Sequence, residues 1–135
     1  MTIKVGWFNS EKTIILQKRE PGWTWEDFDA AVDQYVDMAR SVDHKTAIII
    51  DCLDAPDPPS SSVLSHYQRA GKLKPKNLVR MVVVSKERGF METTGRIYTS
   101  IAPGAGRFLH FVQTIEEAEA LCHEVLASAS NEDQS

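Results

Sequence analysis

The sequence predicts a single α/β domain with a mostly parallel sheet and an N-terminal antiparallel hairpin edge, in the order β-β-α-β-α-β-α-β-α. Two observations predict this class. Short apolar runs alternate with amphipathic stretches, and parallel neighbouring strands require such long helical connections. Two β-type runs separated by four polar residues open the chain, which predicts a hairpin. The 135 residues fit one domain, placed at 1–128 with a polar tail at 129–135.

The N-terminal third predicts the hairpin and one helix. β-branched and aromatic residues fill IKVGWF and TIILQK, on either side of the polar tetrapeptide NSEK at 9–12. Thr24 then fits a helix N-cap, with Asp27 as its capping-box partner. Trp23 and Phe28 occupy the two positions of a hydrophobic staple. The apolar residues of this helix recur at helical spacing: Phe28, Ala31, Val32, Tyr35, Ala39 and Val42.

Strands and helices alternate through the rest of the chain. TAIIID at 46–51 is a continuous apolar run, which is typical of a strand buried on both faces. Two more central strands are predicted at 77–85 and 107–112. The remaining helices are predicted at 62–73, at 89–102, and from a second capping box formed by Thr114 and Glu117.

Composition argues against several classes of protein. The net charge is −4 and no basic stripe is present, which disfavours nucleic-acid binding through phosphate neutralisation. The N-terminus lacks a signal-peptide pattern, and no apolar run approaches the roughly 20 residues that span a bilayer. Cys52 and Cys122 are expected to be buried free thiols, which suits a reducing cytoplasm.

The loop at 51–62, DCLDAPDPPSSS, follows a central strand and contains the candidate site residues: Ser60, Ser61, Ser62, Asp51, Asp54 and Asp57. Serines at a helix N-terminus lie beside free N–H groups, which favour phosphate. Three roles stay open: helix capping, contact with a ligand or partner, and phosphorylation. Capping is favoured, with Pro59 at the first helical position or Ser60 as the N-cap.

The three aspartates of this loop could in principle bind Mg²⁺ or Ca²⁺. Their spacing lacks the glycine and the terminal glutamate of a calcium-binding loop. Asx turns are therefore the favoured interpretation, and the sequence predicts no metal and no cofactor.

Other motifs give little support for catalysis. The glycine-rich stretch at 102–108 runs from a helix to a strand, the reverse of a phosphate-binding loop. The four histidines lack metal-ligand spacing. Ser62, His66 and Asp51 can be drawn as a triad, but no nucleophile-elbow motif supports it. An exposed Trp25 would indicate a partner surface, but partial burial of this residue is the favoured interpretation.

The element order, the hairpin and the serine loop after a strand ending in aspartate resemble a STAS domain. This is the fold of bacterial anti-sigma-factor antagonists and of the cytoplasmic tails of sulfate transporters. The helix starts TWEDF at 24–28 and TIEEA at 114–118 are similar to those of small uncharacterised STAS-like bacterial proteins. The resemblance implies a serine in this loop that is phosphorylated by a partner kinase, itself the anti-sigma factor. The antagonists' Asp-Ser-Ser-Gly motif corresponds to PPSSSV at 58–63, where proline replaces the aspartate and the glycine is missing.

These observations favour a non-enzymatic cytoplasmic regulatory or protein-interaction module of STAS-like type. Its partner would be a protein, such as a regulator or kinase, and a homodimer is compatible with this role; nucleic acid and membrane insertion are not expected. The alternative is a protein that binds an apolar or anionic small molecule between the sheet and the helices after the second and third central strands. Open α/β sheets bind ligands at the carboxyl ends of their strands. An enzyme ranks third, because no nucleophile and base have recognisable spacing.

Overall fold

A computed structural model describes residues 2–55, 62–86, 96 and 108–134, with side chains through residue 127. Its centre is a five-stranded sheet in which the order of the strands is their order in the chain. The first two strands are antiparallel and every other neighbouring pair is parallel. This confirms the predicted α/β class with a hairpin edge. The strands are β1 (Ile3–Trp7), β2 (Ile14–Arg19), β3 (Thr46–Asp51), β4 (Leu78–Val84) and β5 (Leu109–Val112).

The predicted hairpin between β1 and β2 is closed by the side chain of Asn9. Its Oδ1 accepts the backbone N–H groups of Thr13 and Ile14, both at 3.0 Å. Its Nδ2 donates to Thr13 Oγ1 at 2.6 Å. Lys12 adopts a positive φ of 58°, which completes the reversal. Asn9 thus replaces backbone partners in the turn and fixes the register in which Ile3 lies opposite Arg19.

The first helix, α1 (Trp25–Arg40), begins as predicted. Thr24 and Asp27 form a complete capping box, and the rings of Trp23 and Phe28 stack with centroids 6.0 Å apart. The helix ends at Arg40, two residues earlier than the apolar spacing through Val42 suggests. Its buried residues are Phe28, Ala31, Val32, Tyr35, Val36 and Ala39.

The two faces of the sheet are covered by different helices. α1 and α2 (Val63–Leu73) pack on one face, and α3 (Ile115–Gln134) packs on the other. β3 is buried on both faces as predicted, because Ile48 and Ile50 lie in the core under α1 while Ile49 lies in the core under α3. Within the described residues, no helix is both long and apolar enough to cross a membrane.

Three predicted boundaries need comment. α2 begins at Val63, which agrees with the helix predicted at 62–73; a start at Pro59 or Ser60 is wrong, because Ser62 occupies the N-cap position, with a left-handed backbone (φ 64°, ψ 19°). α3 continues to Gln134, into the segment predicted as a polar tail. The helix predicted at 89–102 lies outside the described residues, apart from residue 96.

Candidate ligand-binding cavity

A cavity lies between the sheet and the two helices α1 and α2. The cavity is partly open, and the space in and in front of it that no protein atom occupies amounts to about 520 Å³, open solvent included. Its walls are mainly apolar, and only two strongly polar side chains, both from β2, are among the described lining residues. These residues are Gln17, Arg19, Phe28, Val32, Tyr35, Ile50, Tyr67, Ala70, Met81, Val83 and Leu109.

The alternation of β2 brings its two polar residues into this cavity. Side chains two residues apart in a strand point to the same face, so Gln17 and Arg19 continue the inward row begun by Ile15. Gln17 is 1% exposed and Arg19 is 6% exposed. The Nε–H group of Arg19 donates to Gln17 Oε1 at 3.0 Å. The row therefore changes from apolar to polar at the carboxyl end of β2.

Aromatic rings hold the Arg19 guanidinium in place. Its central carbon lies 4.7 Å from the ring centroid of Trp23 and 5.4 Å from that of Phe28. These are cation–π distances. The same two rings form the staple of α1, so the cap that starts the helix also positions the arginine.

The charge of Arg19 has no acidic partner among the described residues, because none of their ion pairs includes it. Cys52 lies beside it, fully buried. Burial raises the pKa of the Cys52 thiol, and the neighbouring Arg19 charge opposes only part of that rise. A protonated thiol cannot balance the guanidinium. The cavity wall therefore contains a buried positive charge, which proteins normally pair with an anion.

The two elements on either side of the predicted aspartate and serine loop line the cavity, since the strand before the loop contributes Ile50 and the helix after it contributes Tyr67. Asp51 Oδ1 accepts the backbone N–H of Leu53 at 3.0 Å, which is the Asx turn that the sequence favours. Asp54 is exposed, and its carboxylate lies 3.9 Å from Lys18 Nζ. Residues 2–55, 62–86 and 108–127 place no three potential metal ligands together.

The serines of the loop are only partly described. Ser62 makes no side-chain capping hydrogen bond, although its carbonyl accepts Ser65 Oγ–H at 3.0 Å. Ser62 therefore occupies the N-cap position, but its hydroxyl does not accept a hydrogen bond from the first turn of the helix. Asp57, Ser60 and Ser61 lie outside the described residues, so their predicted roles stay predictions.

Trp25 and His66 join α1 to α2 beside the cavity. Their rings stack with centroids 4.5 Å apart and an interplanar angle of 4°. His66 Nδ1 lies 3.0 Å from Asp29 Oδ1, so this histidine pairs with α1 and not with the triad drawn from Ser62 and Asp51. Trp25 is half-buried, which confirms the favoured interpretation of this residue.

The cavity and its arginine are what sequence reasoning missed. The end of TIILQK reads as a polar, solvent-facing strand end. The available signal was the two-residue spacing of Ile15, Gln17 and Arg19, which places all three on one face. The cavity also lies under α1 and α2, whereas the predicted ligand position was assigned to the helices after the second and third central strands.

Comparison with known proteins supports the fold. No family model matches the chain, and no curated protein matches it either. Among solved structures, it is similar to an uncharacterised protein from the DUF3478 family with a SpoIIAA-like fold, from Shewanella loihica PV-4. The TM-score is 0.65 at 16% sequence identity, over 89% of this chain and 93% of that one. The chain therefore has the SpoIIAA-like, or STAS-like, fold that its sequence resembles.

Proposed function

We propose that this protein is a small-molecule-binding module that holds a largely apolar ligand in the cavity between the sheet and α1 and α2. The observation behind the proposal is the composition of the cavity wall. Apolar side chains such as Phe28, Val32 and Val83 form most of it, and Gln17 and Arg19 meet at one end. Ligand sites commonly combine an apolar wall with a few convergent polar groups.

The position of the cavity agrees with this proposal. Gln17, Ile50 and Val83 belong to the carboxyl-terminal halves of three neighbouring strands. Ligands of open α/β sheets bind near such strand ends. The fold itself does not specify an activity, so the argument depends on the site. The proposed role is non-catalytic, in a bacterial cytoplasm, where the two buried free cysteines would stay reduced.

A substitution that fills the cavity tests the proposal. Ala70 is buried in the wall, so Ala70→Leu would occupy ligand space; Ala30 is exposed on α1, so Ala30→Leu adds the same atoms elsewhere. We expect native mass spectrometry of freshly purified wild type and Ala30→Leu to show a bound small molecule that Ala70→Leu has lost. Thermal unfolding confirms that both variants are folded.

The proposal fails if wild-type protein neither co-purifies with a small molecule nor takes up a neutral apolar dye. It also fails if Ala70→Leu, once shown to be folded, retains the same bound species as wild type. Either result would leave the cavity as a packing defect of the core.

A second candidate function is protein contact at the loop end of the domain. Leu53 and Leu64 are 36% and 47% exposed and flank the stretch 56–61 on either side. Two large exposed apolar side chains at one loop favour a partner surface, either on another protein or on a second copy. Residues 60–62 would add the serine switch that the family resemblance implies.

The protein-contact candidate is tested by Leu64→Ser beside a triple Ser60→Ala, Ser61→Ala, Ser62→Ala variant. We expect Leu64→Ser to abolish a wild-type homodimer in analytical ultracentrifugation, or binding of a cognate kinase. Mass spectrometry after incubation with that kinase would locate phosphate on one serine. Wild-type protein that stays monomeric, unmodified and unbound would contradict this candidate.

A further inference from the structure

We propose that the ligand of the cavity is an acid with an apolar chain, and that its carboxylate pairs with Arg19. The inference depends on the proposed ligand-binding function and specifies the class of ligand. Its starting point is a charge without a partner: Arg19 is 94% buried, since only 6% is exposed, and no described carboxylate pairs with it. A buried charge is costly until an opposite charge and hydrogen bonds compensate for it.

The neighbours of Arg19 supply too few acceptors for its donors. A guanidinium has five N–H donors and no acceptor. One of them goes to Gln17 Oε1, and the Cys52 thiol offers only a weak sulfur acceptor. The indole N–H groups of Trp23 and Trp25, which do not line the cavity, are also buried without a hydrogen-bond partner among the described residues. Because Arg19 brings donors to its end of the cavity and few acceptors lie beside it, this end is the reverse of what a cationic or donor-rich ligand would need.

The surroundings of Arg19 leave donors for an anion. Its Cζ atom lies close to the rings of Trp23 and Phe28, which offer no conventional hydrogen-bond acceptor. The Nε–H group donates to Gln17 Oε1, so the two terminal nitrogens of the guanidinium can present the donor pair that a bidentate carboxylate takes. A single guanidinium balances one negative charge, which favours a monoanionic carboxylate over a dianionic phosphate.

The rest of the wall determines what the carboxylate is attached to. Phe28, Val32, Ile50, Ala70 and Val83 line the space beyond the polar end. These side chains offer no strong hydrogen-bonding groups, so the remainder of the ligand would be a hydrocarbon chain or ring. The polar end then fixes the orientation of the ligand, and the apolar wall supplies most of the burial.

Three probes of equal chain length test this inference by isothermal titration calorimetry: octanoate, octanol and octyl phosphate. We expect wild type to bind octanoate about tenfold to a hundredfold more tightly than octanol, as charge-assisted hydrogen bonds imply. Octyl phosphate should bind more weakly than octanoate. Arg19→Gln should remove the preference for octanoate, whereas Arg69→Gln, an arginine on α2 paired with Asp33 outside the cavity wall, should retain it.

Arg19→Lys is a second variant that keeps the test informative if Arg19→Gln does not fold. It keeps a positive charge, and we expect it to retain part of the preference for octanoate with a weaker affinity, because ammonium lacks the bidentate edge. The comparison of the three probes on wild-type protein requires no variant. NMR of wild-type protein gives a further test: a shift of the Arg19 Nε–H resonance on addition of octanoate, but not of octanol, would place the carboxylate at this residue.

The outcomes separate this inference from the proposed function. Equal binding of octanoate and octanol would overturn the acid assignment and leave an apolar binding protein. Tighter binding of octyl phosphate would overturn the carboxylate in favour of a phosphate ester. An unchanged preference in folded Arg19→Gln would show that Arg19 is only structural. Failure of all three probes, together with an empty protein in native mass spectrometry, would contradict the ligand-binding function itself.

Discussion

Arg19 changes the chemistry of a cavity whose other walls are largely apolar, and its inward direction follows from long-range structure. Ile15, Gln17 and Arg19 share one face of β2 because a strand repeats every two residues. Which face turns inward depends on β2 lying between β1 and β3 and under α1. No local signal in TIILQKRE contains that information, so sequence reasoning could predict the strand but not the buried charge.

At the residue scale, we predict from the burial of the Cys122 thiol that the free energy of unfolding falls in alkaline solution. Burial raises the pKa of its thiol to about 12 from a reference value of 9.0, although Arg80 opposes the rise. The unfolded chain therefore ionises this thiol at a lower pH than the folded chain does. Its contribution to stability is fully present below about pH 9 and is lost progressively between about pH 9 and about pH 12.

The measurement is the free energy of unfolding in urea at several values between about pH 8 and about pH 11. Lysines and tyrosines titrate in the same range, so the informative quantity is the difference between wild type and Cys122→Ala. We expect the stability of wild type to fall more steeply with pH. Parallel curves for the two proteins would show that the Cys122 thiol ionises equally in both states.

At the scale of elements, helix starts were predictable where neighbouring residues determine them. Thr24 and Asp27 form both bonds of a capping box, and Thr114 Oγ1 accepts the backbone N–H of Glu117 at 3.1 Å. Each cap involves residues three positions apart, which the sequence shows directly. The start of α2 differs, because the left-handed backbone of Ser62 is uncommon for serine and is not required by its sequence neighbours.

The cap of α1 gives a prediction for stability. Asp27 N–H donates to Thr24 Oγ1 at 3.2 Å, and Thr24 N–H donates to Asp27 Oδ2 at 3.3 Å. Thr24→Ala removes the hydroxyl acceptor and leaves the N–H of Asp27 without it. We expect a loss of about 1 kcal/mol in the free energy of unfolding, measured by urea denaturation.

Thr24→Ser is the matched control, because it keeps the hydroxyl and should retain most of the wild-type stability. The contribution of the cap would be disproved if the alanine and serine variants unfolded at the same urea concentration as wild type. Since Trp23 of the adjoining staple contacts Arg19, the alanine variant also tests whether the cap affects binding of octanoate.

At the scale of the whole molecule, strand and helix alternation was enough to predict the sheet. Parallel neighbours need crossovers, and each connection between β2, β3 and β4 contains a helix on the same face. The cavity was not predictable in this way. It arises from the fit of α1 and α2 against the four strands β2 to β5, to which residues from Gln17 to Leu109 contribute. Packing over such sequence distances leaves no pattern in one sequence.

The strand order of the sheet also has a consequence for synthesis of the chain. Because spatial order equals chain order, each strand that leaves the ribosome finds its neighbour already made. The helix α3 is made after all five of these strands, and it covers the face that contains Ile49, Val82 and Val84. A nascent chain stalled before α3 would thus display an uncovered apolar sheet face, the type of surface that recruits chaperones or starts aggregation.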